Sequence, residues 1–122
     1  CGFGWDEVLS VRIFLRHLKD WETAGSMPDL VMVQLPSDHT SGTTPDYSTP
    51  KACFADNDLA LGQIVEGLTH SKFWKDMLIL VVEDDAQAGL DHVDGHRTVA
   101  QAISPYTRRG AVEWRPGETT GR

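Results

Sequence analysis

The sequence has little cysteine, no basic run and no long apolar stretch. Two cysteines, Cys1 and Cys53, in 122 residues are too few for a disulfide framework, and their spacing matches no metal-binding pattern. They leave the redox compartment open. Lys and Arg number 11 against 18 Asp and Glu, a formal net charge of -7, and the basic residues gather nowhere. That balance argues against a nucleic-acid backbone as a partner. No apolar stretch approaches the roughly 18–20 residues that a membrane helix needs, so no membrane span is expected. No charged-then-apolar leader stands at the start, and the compartment stays unassigned. There is no internal repeat and no low-complexity block. Trp5, Trp21, Trp74 and Trp114 are spread out, as core or interface residues are, rather than grouped as a stacking platform.

What is present is ordinary globular composition, 40% hydrophobic and 24% charged. The length fits one domain. We expect a single α/β domain over residues 1–114 and a flexible tail over 115–122, where Pro, Gly, Thr and Arg predominate. Val8, Val11, Leu15, Leu18 and Trp21 recur every three or four residues and predict a helix over about 6–24. Asp6 can cap its start, Gly25 fits its end, and Pro28 blocks continuation. The run DLVMVQL (Asp29–Leu35), bounded by Pro28 and Pro36, reads as a buried strand. A polar loop over 36–50 follows, long enough to be functional. Leu59, Leu61, Ile64, Val65 and Leu68 predict a second helix over about 50–70, with Cys53 as a small core residue. MLILVV (Met77–Val82) reads as a second buried strand, 99–103 as a third, 106–110 as a turn and 111–114 as an edge strand. Strand, crossover helix, strand implies a parallel pair. The expected fold is therefore α/β, a small mainly parallel sheet flanked by helices.

Both predicted strands run out into polar clusters, Ser37–Gly42 after the first and Glu83–Asp85 after the second. Ligands of open α/β sheets bind beyond the carboxyl ends of the strands, and in a parallel pair both clusters would share that edge. The second cluster opens the segment EDDAQAGLDHVDGHR, which carries Glu83, Asp84, Asp85, Asp91 and Asp94 with His92, His96 and Arg97. Adjacent carboxylates repel unless a positive charge relieves them, and a divalent cation with oxygen and imidazole ligands is the usual remedy. A solvated acidic loop is the alternative, and it accounts well for Asp91 and Asp94 taken alone. It accounts less well for Asp84 and Asp85, which begin at the rim of an apolar strand. His39, between Asp38 and Thr40, holds the matching position after the first strand. His17 reads as a helix residue, and His70 as a contact with a helix C-terminus.

Four segments then carry a family resemblance: LPSDHTSGT (Leu35–Thr43), ADNDLALGQIVEGLTHSKFWKD (Ala55–Asp76), VVEDDAQAGLDHVDGHR (Val81–Arg97) and ISPYTRRGAV (Ile103–Val112). In this order they resemble the bacterial phosphoesterases of the alkaline phosphatase superfamily, phospholipase C-like and acid phosphatase-like enzymes among them. The resemblance covers about residues 28–112. It implies an α/β/α sandwich with metals at the carboxyl edge of the sheet. It implies that Asp84 and Asp85 ligate the metal, with Asp38 and Asp91 as further candidate ligands. It gives His39, His92 and His96 catalytic contacts with the phosphate or the metal. It also implies that this chain corresponds to a carboxy-terminal part of such an enzyme, without the segment that supplies the family's Ser or Thr nucleophile. Thr40 or Ser41 is the substitute candidate on the chain, and a metal-activated water is the favoured one. Residues 113–122 do not resemble the family. The expected activity is metal-dependent hydrolysis of a small phosphate ester, with Zn, Mn, Fe, Mg or Ca as cofactor. Two other readings use the same residues: a non-catalytic remnant that binds metal or phosphate, and a hydrolase of carboxylic esters. A part of a larger sheet would expose apolar edges, so a homo-oligomer, most simply a dimer, is expected.

Overall fold

A computed structural model of the chain describes residues 7–83 and 99–112. Within the described residues the chain is α/β, with two helices and a two-stranded antiparallel sheet. It divides into two compact units, Cys1–Trp74 and Lys75–Arg122. No described helix is long and apolar enough to cross a membrane.

The first unit is a pair of packed helices. Helix α1 (Glu7–Ala24) buries Glu7, Val11, Phe14 and Leu18, one line at spacings of four, three and four. The stripe expected from sequence is thus rotated. Val8 is exposed, Leu15 and Trp21 are half-buried, and Phe14 takes a core place with its ring edge on Trp21, centroids 6.3 Å apart. Asp6, the expected cap, lies outside the described residues. Gly25 ends the helix as expected, at φ 83°, where a side chain would be strained. Its N–H donates to the Trp21 carbonyl at 2.8 Å.

Helix α2 (Pro50–Thr69) buries Cys53, Ala60, Ile64 and Leu68, so Cys53 is a core residue as expected. Leu59 faces out instead of in. Thr49 caps the start, its hydroxyl accepting from the Ala52 N–H at 3.3 Å, and Pro50 fills the first helical position, where its missing N–H costs nothing. Thr49→Ala removes this cap and is expected to lower stability by about 1 kcal/mol. A urea midpoint unchanged from wild type would refute it. At the other end the His70 ring reaches the Glu66 carbonyl at 2.8 Å, in keeping with its expected helix-terminal role. Gly67 sits where the helices touch: a Cβ there would stand 2.5 Å from Leu15 Cδ2.

The second unit contains strands β1 (Ile79–Val82) and β2 (Ala100–Ile103), antiparallel, with Ile79 opposite Ile103 and Val82 opposite Ala100. Both were expected as strands, but β1 is not the buried strand expected over 77–82: its residues alternate half-buried and exposed, and the expected parallel partner, 29–35, is missing. Among the described residues the only ladder is antiparallel, and residues 29–35 form no strand. The physical reason is local. A strand needs an edge to pair with, and the described part of the first unit consists of two helices packed on each other. The Leu35 carbonyl is instead taken by a side chain, Asn57 Nδ2, at 2.7 Å. β1 pairs with a segment closer in sequence than 29–35, which closes a shorter loop. The expected turn follows β2: the Thr107 hydroxyl accepts from the Ser104 N–H, and Tyr106 Oη donates to the Lys75 carbonyl at 2.7 Å. Residues 111 and 112 form no edge strand, and the rest of that expected strand, with the tail over 115–122, lies outside the described residues.

Candidate functional site

The polar loop after residue 35 begins with a single 3-10 turn, Pro36–Asp38. Pro36 fixes its own φ and has no N–H to satisfy, and the His39 N–H closes the turn on the Pro36 carbonyl at 3.2 Å. Asp38 is half-buried in the turn and His39 projects exposed at its end. Thr40 is half-buried, its hydroxyl accepting from the Gly42 N–H at 3.2 Å. Gly42 takes φ 60°, a left-handed turn position suited to glycine. Thr44 then ties back to the Ser41 carbonyl through its hydroxyl at 2.7 Å, and Asp46 takes φ 69°, which aspartate tolerates better than most residues. The loop is therefore a series of hydrogen-bonded turns, and it presents Asp38, His39 and Thr40 consecutively.

Beneath this loop lies a polar cluster that the sequence analysis did not single out. Glu7 is only 1% exposed. Its Oε1 accepts from the Ser37 N–H at 2.5 Å and from Asn57 Nδ2 at 3.4 Å. Asn57 also donates to the Leu35 carbonyl at 2.7 Å. Among the described residues, Glu7 Oε2 and Ser37 Oγ are buried without a hydrogen-bond partner. A signal for Glu7 was available: it occupies the place four residues before Val11 on the buried line of α1. Asn57 likewise falls between Cys53 and Ala60 on the inner line of α2.

In the second unit, β1 ends at Val82 and the exposed Glu83 follows, its N–H donating to the Val99 carbonyl at 3.3 Å. Asp84 and Asp85 come next in the chain. They lie outside the described residues, as do Asp91, His92 and His96. No three His, Cys, Asp or Glu side chains among the described residues stand close enough to hold a metal ion. Asp38 and His39 offer one carboxylate and one imidazole, so a metal centre on this chain depends on the segment after Glu83. The donor chemistry there, carboxylates with imidazoles, suits a hard or borderline divalent cation. No family model, no curated protein and no solved structure matches this chain.

Proposed function

We propose that the chain is a metal-dependent phosphoesterase of the alkaline phosphatase type, its helices and strands belonging to an α/β/α sandwich with a mainly parallel sheet. One observation carries the reading: the Asp84–Asp85 pair comes one residue after the apolar strand β1, with only Glu83 between. Adjacent carboxylates in sequence repel one another unless a cation joins them. Asp84 and Asp85 would hold that cation, with Asp91 as a further oxygen donor. A bound divalent ion supplies Lewis-acid polarisation of the phosphoryl oxygens and an acidified water.

The chain's own residues then divide the work. His39, exposed at the end of a hydrogen-bonded turn, contacts the ester phosphate. His39, His92 or His96 supplies the proton taken up by the leaving oxygen as its bond to phosphorus breaks. The new bond to phosphorus comes from water or from the Thr40 hydroxyl. The test compares p-nitrophenyl phosphate with p-nitrophenyl acetate, each with and without chelator. Chelator-sensitive phosphate release is the expected result. Metal uptake without turnover of either ester would leave a binding protein, turnover of acetate alone would make it a carboxylic ester hydrolase, and absence of bound metal would overturn the reading.

We also propose that the chain self-associates, most simply as a two-fold dimer. Leu80 and Val82 on one face of the ribbon are 66% and 61% exposed. Among the described residues each strand pairs along one edge only, and exposed apolar edges favour pairing with another chain. Sedimentation velocity at micromolar concentration is expected to give a dimer or larger species. A clean monomer would refute it.

A further inference from the structure

The Glu7–Asn57 cluster is expensive to build. A carboxylate removed from water loses hydration that only good partners replace, and here one of its oxygens has none among the described residues. An apolar side chain at position 7 would continue the buried line of Val11, Phe14 and Leu18 without that cost. What the carboxylate does instead is hold backbone. Glu7 from the start of α1 takes the Ser37 N–H, and Asn57 from α2 takes the Leu35 carbonyl. These two backbone groups flank Pro36, whose φ is fixed by its ring. Asn57 also donates to Glu7, so the two holding side chains brace each other. Both helices thus converge on the first peptide groups of the turn that carries Asp38 and His39.

We infer that Glu7 and Asn57 are positioning residues, a buried clamp that sets the Pro36–Asp38 turn and through it the presentation of Asp38 and His39 to the phosphate ester. The inference rests on the phosphoesterase reading for the ester, but the clamp itself rests only on the contacts around Pro36. The contacts of both residues are with the turn and with each other. Glu7 sits in the first turn of α1, so the acceptor is held in place by the helix that carries it.

The test follows amide hydrogen exchange at Ser37 and His39 together with p-nitrophenyl phosphate turnover, in wild type, Glu7→Gln, Glu7→Ala and Asn57→Ala. Glu7→Gln keeps an acceptor of the same shape and is expected to preserve most of the Ser37 protection and of the rate. Glu7→Ala is expected to speed Ser37 exchange at least about tenfold, the loss of one buried hydrogen bond that leaves the Ser37 N–H without its acceptor. The Ile64 and Leu68 amides of α2 should stay protected, and kcat should fall more than KM changes. Asn57→Ala is expected to act in the same direction. Unchanged Ser37 exchange in Glu7→Ala would overturn the clamp. Faster exchange with an unchanged rate would overturn the positioning role. Loss of Ile64 and Leu68 protection in both alanine variants would reduce the cluster to a support of the helix pair and overturn the inference. If wild type itself hydrolyses no phosphate ester, the phosphoesterase reading and the positioning role fail together, while Ser37 exchange still decides whether the clamp exists.

Discussion

On the phosphoesterase reading, Asp84→Ala is expected to abolish binding of the proposed divalent metal and to cut phosphate-ester hydrolysis by more than about 100-fold, since even residues that only orient metal ligands cost 10–100-fold when replaced. Two neighbouring carboxylates after a strand of Ile79, Leu80, Val81 and Val82 gain a shared cation or pay for its absence in repulsion. Removing one leaves too few donors for tight binding. The same variant makes a second measurement possible. A ligand held at 100 times its Kd stabilises the fold by about 2.7 kcal/mol, so chelator should lower the melting temperature of wild type and leave that of Asp84→Ala unmoved. Metal content by elemental analysis gives the direct result. A variant that keeps full metal stoichiometry would show that Asp84 is no ligand and that the acidic segment is a solvated loop.

The second large effect concerns the helix pair. Leu18→Ala is expected to cost 2–5 kcal/mol, about what a buried leucine loses on truncation, whereas Leu30→Ala should stay within about 0.5 kcal/mol. The chemical change is the same and only burial differs: Leu18 is 4% exposed and Leu30 is 77% exposed. The described core is small, comprising Val11, Phe14, Leu18, Cys53, Ala60, Ile64 and Leu68. Small domains are stable by roughly 5–15 kcal/mol in total, so the Leu18 deletion removes a large share of the margin. Urea unfolding followed by helical circular dichroism reads both. Equal losses for the two variants would mean that α1 and α2 do not bury the faces described.

The contrast between these leucines also explains what could be read from sequence and what could not. Spacing located both helices to within a residue or two, because Gly25, Thr49 and Pro50 act through local backbone chemistry. Spacing did not fix which line of each helix turns inward. Val8 and Phe14 are both apolar, and only the partner helix decides between them. Glu7 was passed over because a carboxylate on an apolar line looks like the edge of a pattern until its partners, the Ser37 N–H and the Asn57 side chain, are known from elsewhere in the chain. DLVMVQL has the composition of a strand, but composition cannot supply an edge to pair with, and none is present among the described residues of its unit. Of the candidate site, Asp38, His39 and Thr40 stand together by sequence adjacency, and the turn that presents them depends on two helices that no motif connects.

The contact between Gly67 and Leu15 has a consequence for the chain's descent. The atom in the way is the far end of a half-buried leucine, which can turn aside. A first carbon at residue 67 therefore asks for a new Leu15 rotamer, and a branched side chain asks for more. Relatives of this chain should accept alanine at 67 more readily than any larger residue, most of all where residue 15 has been shortened.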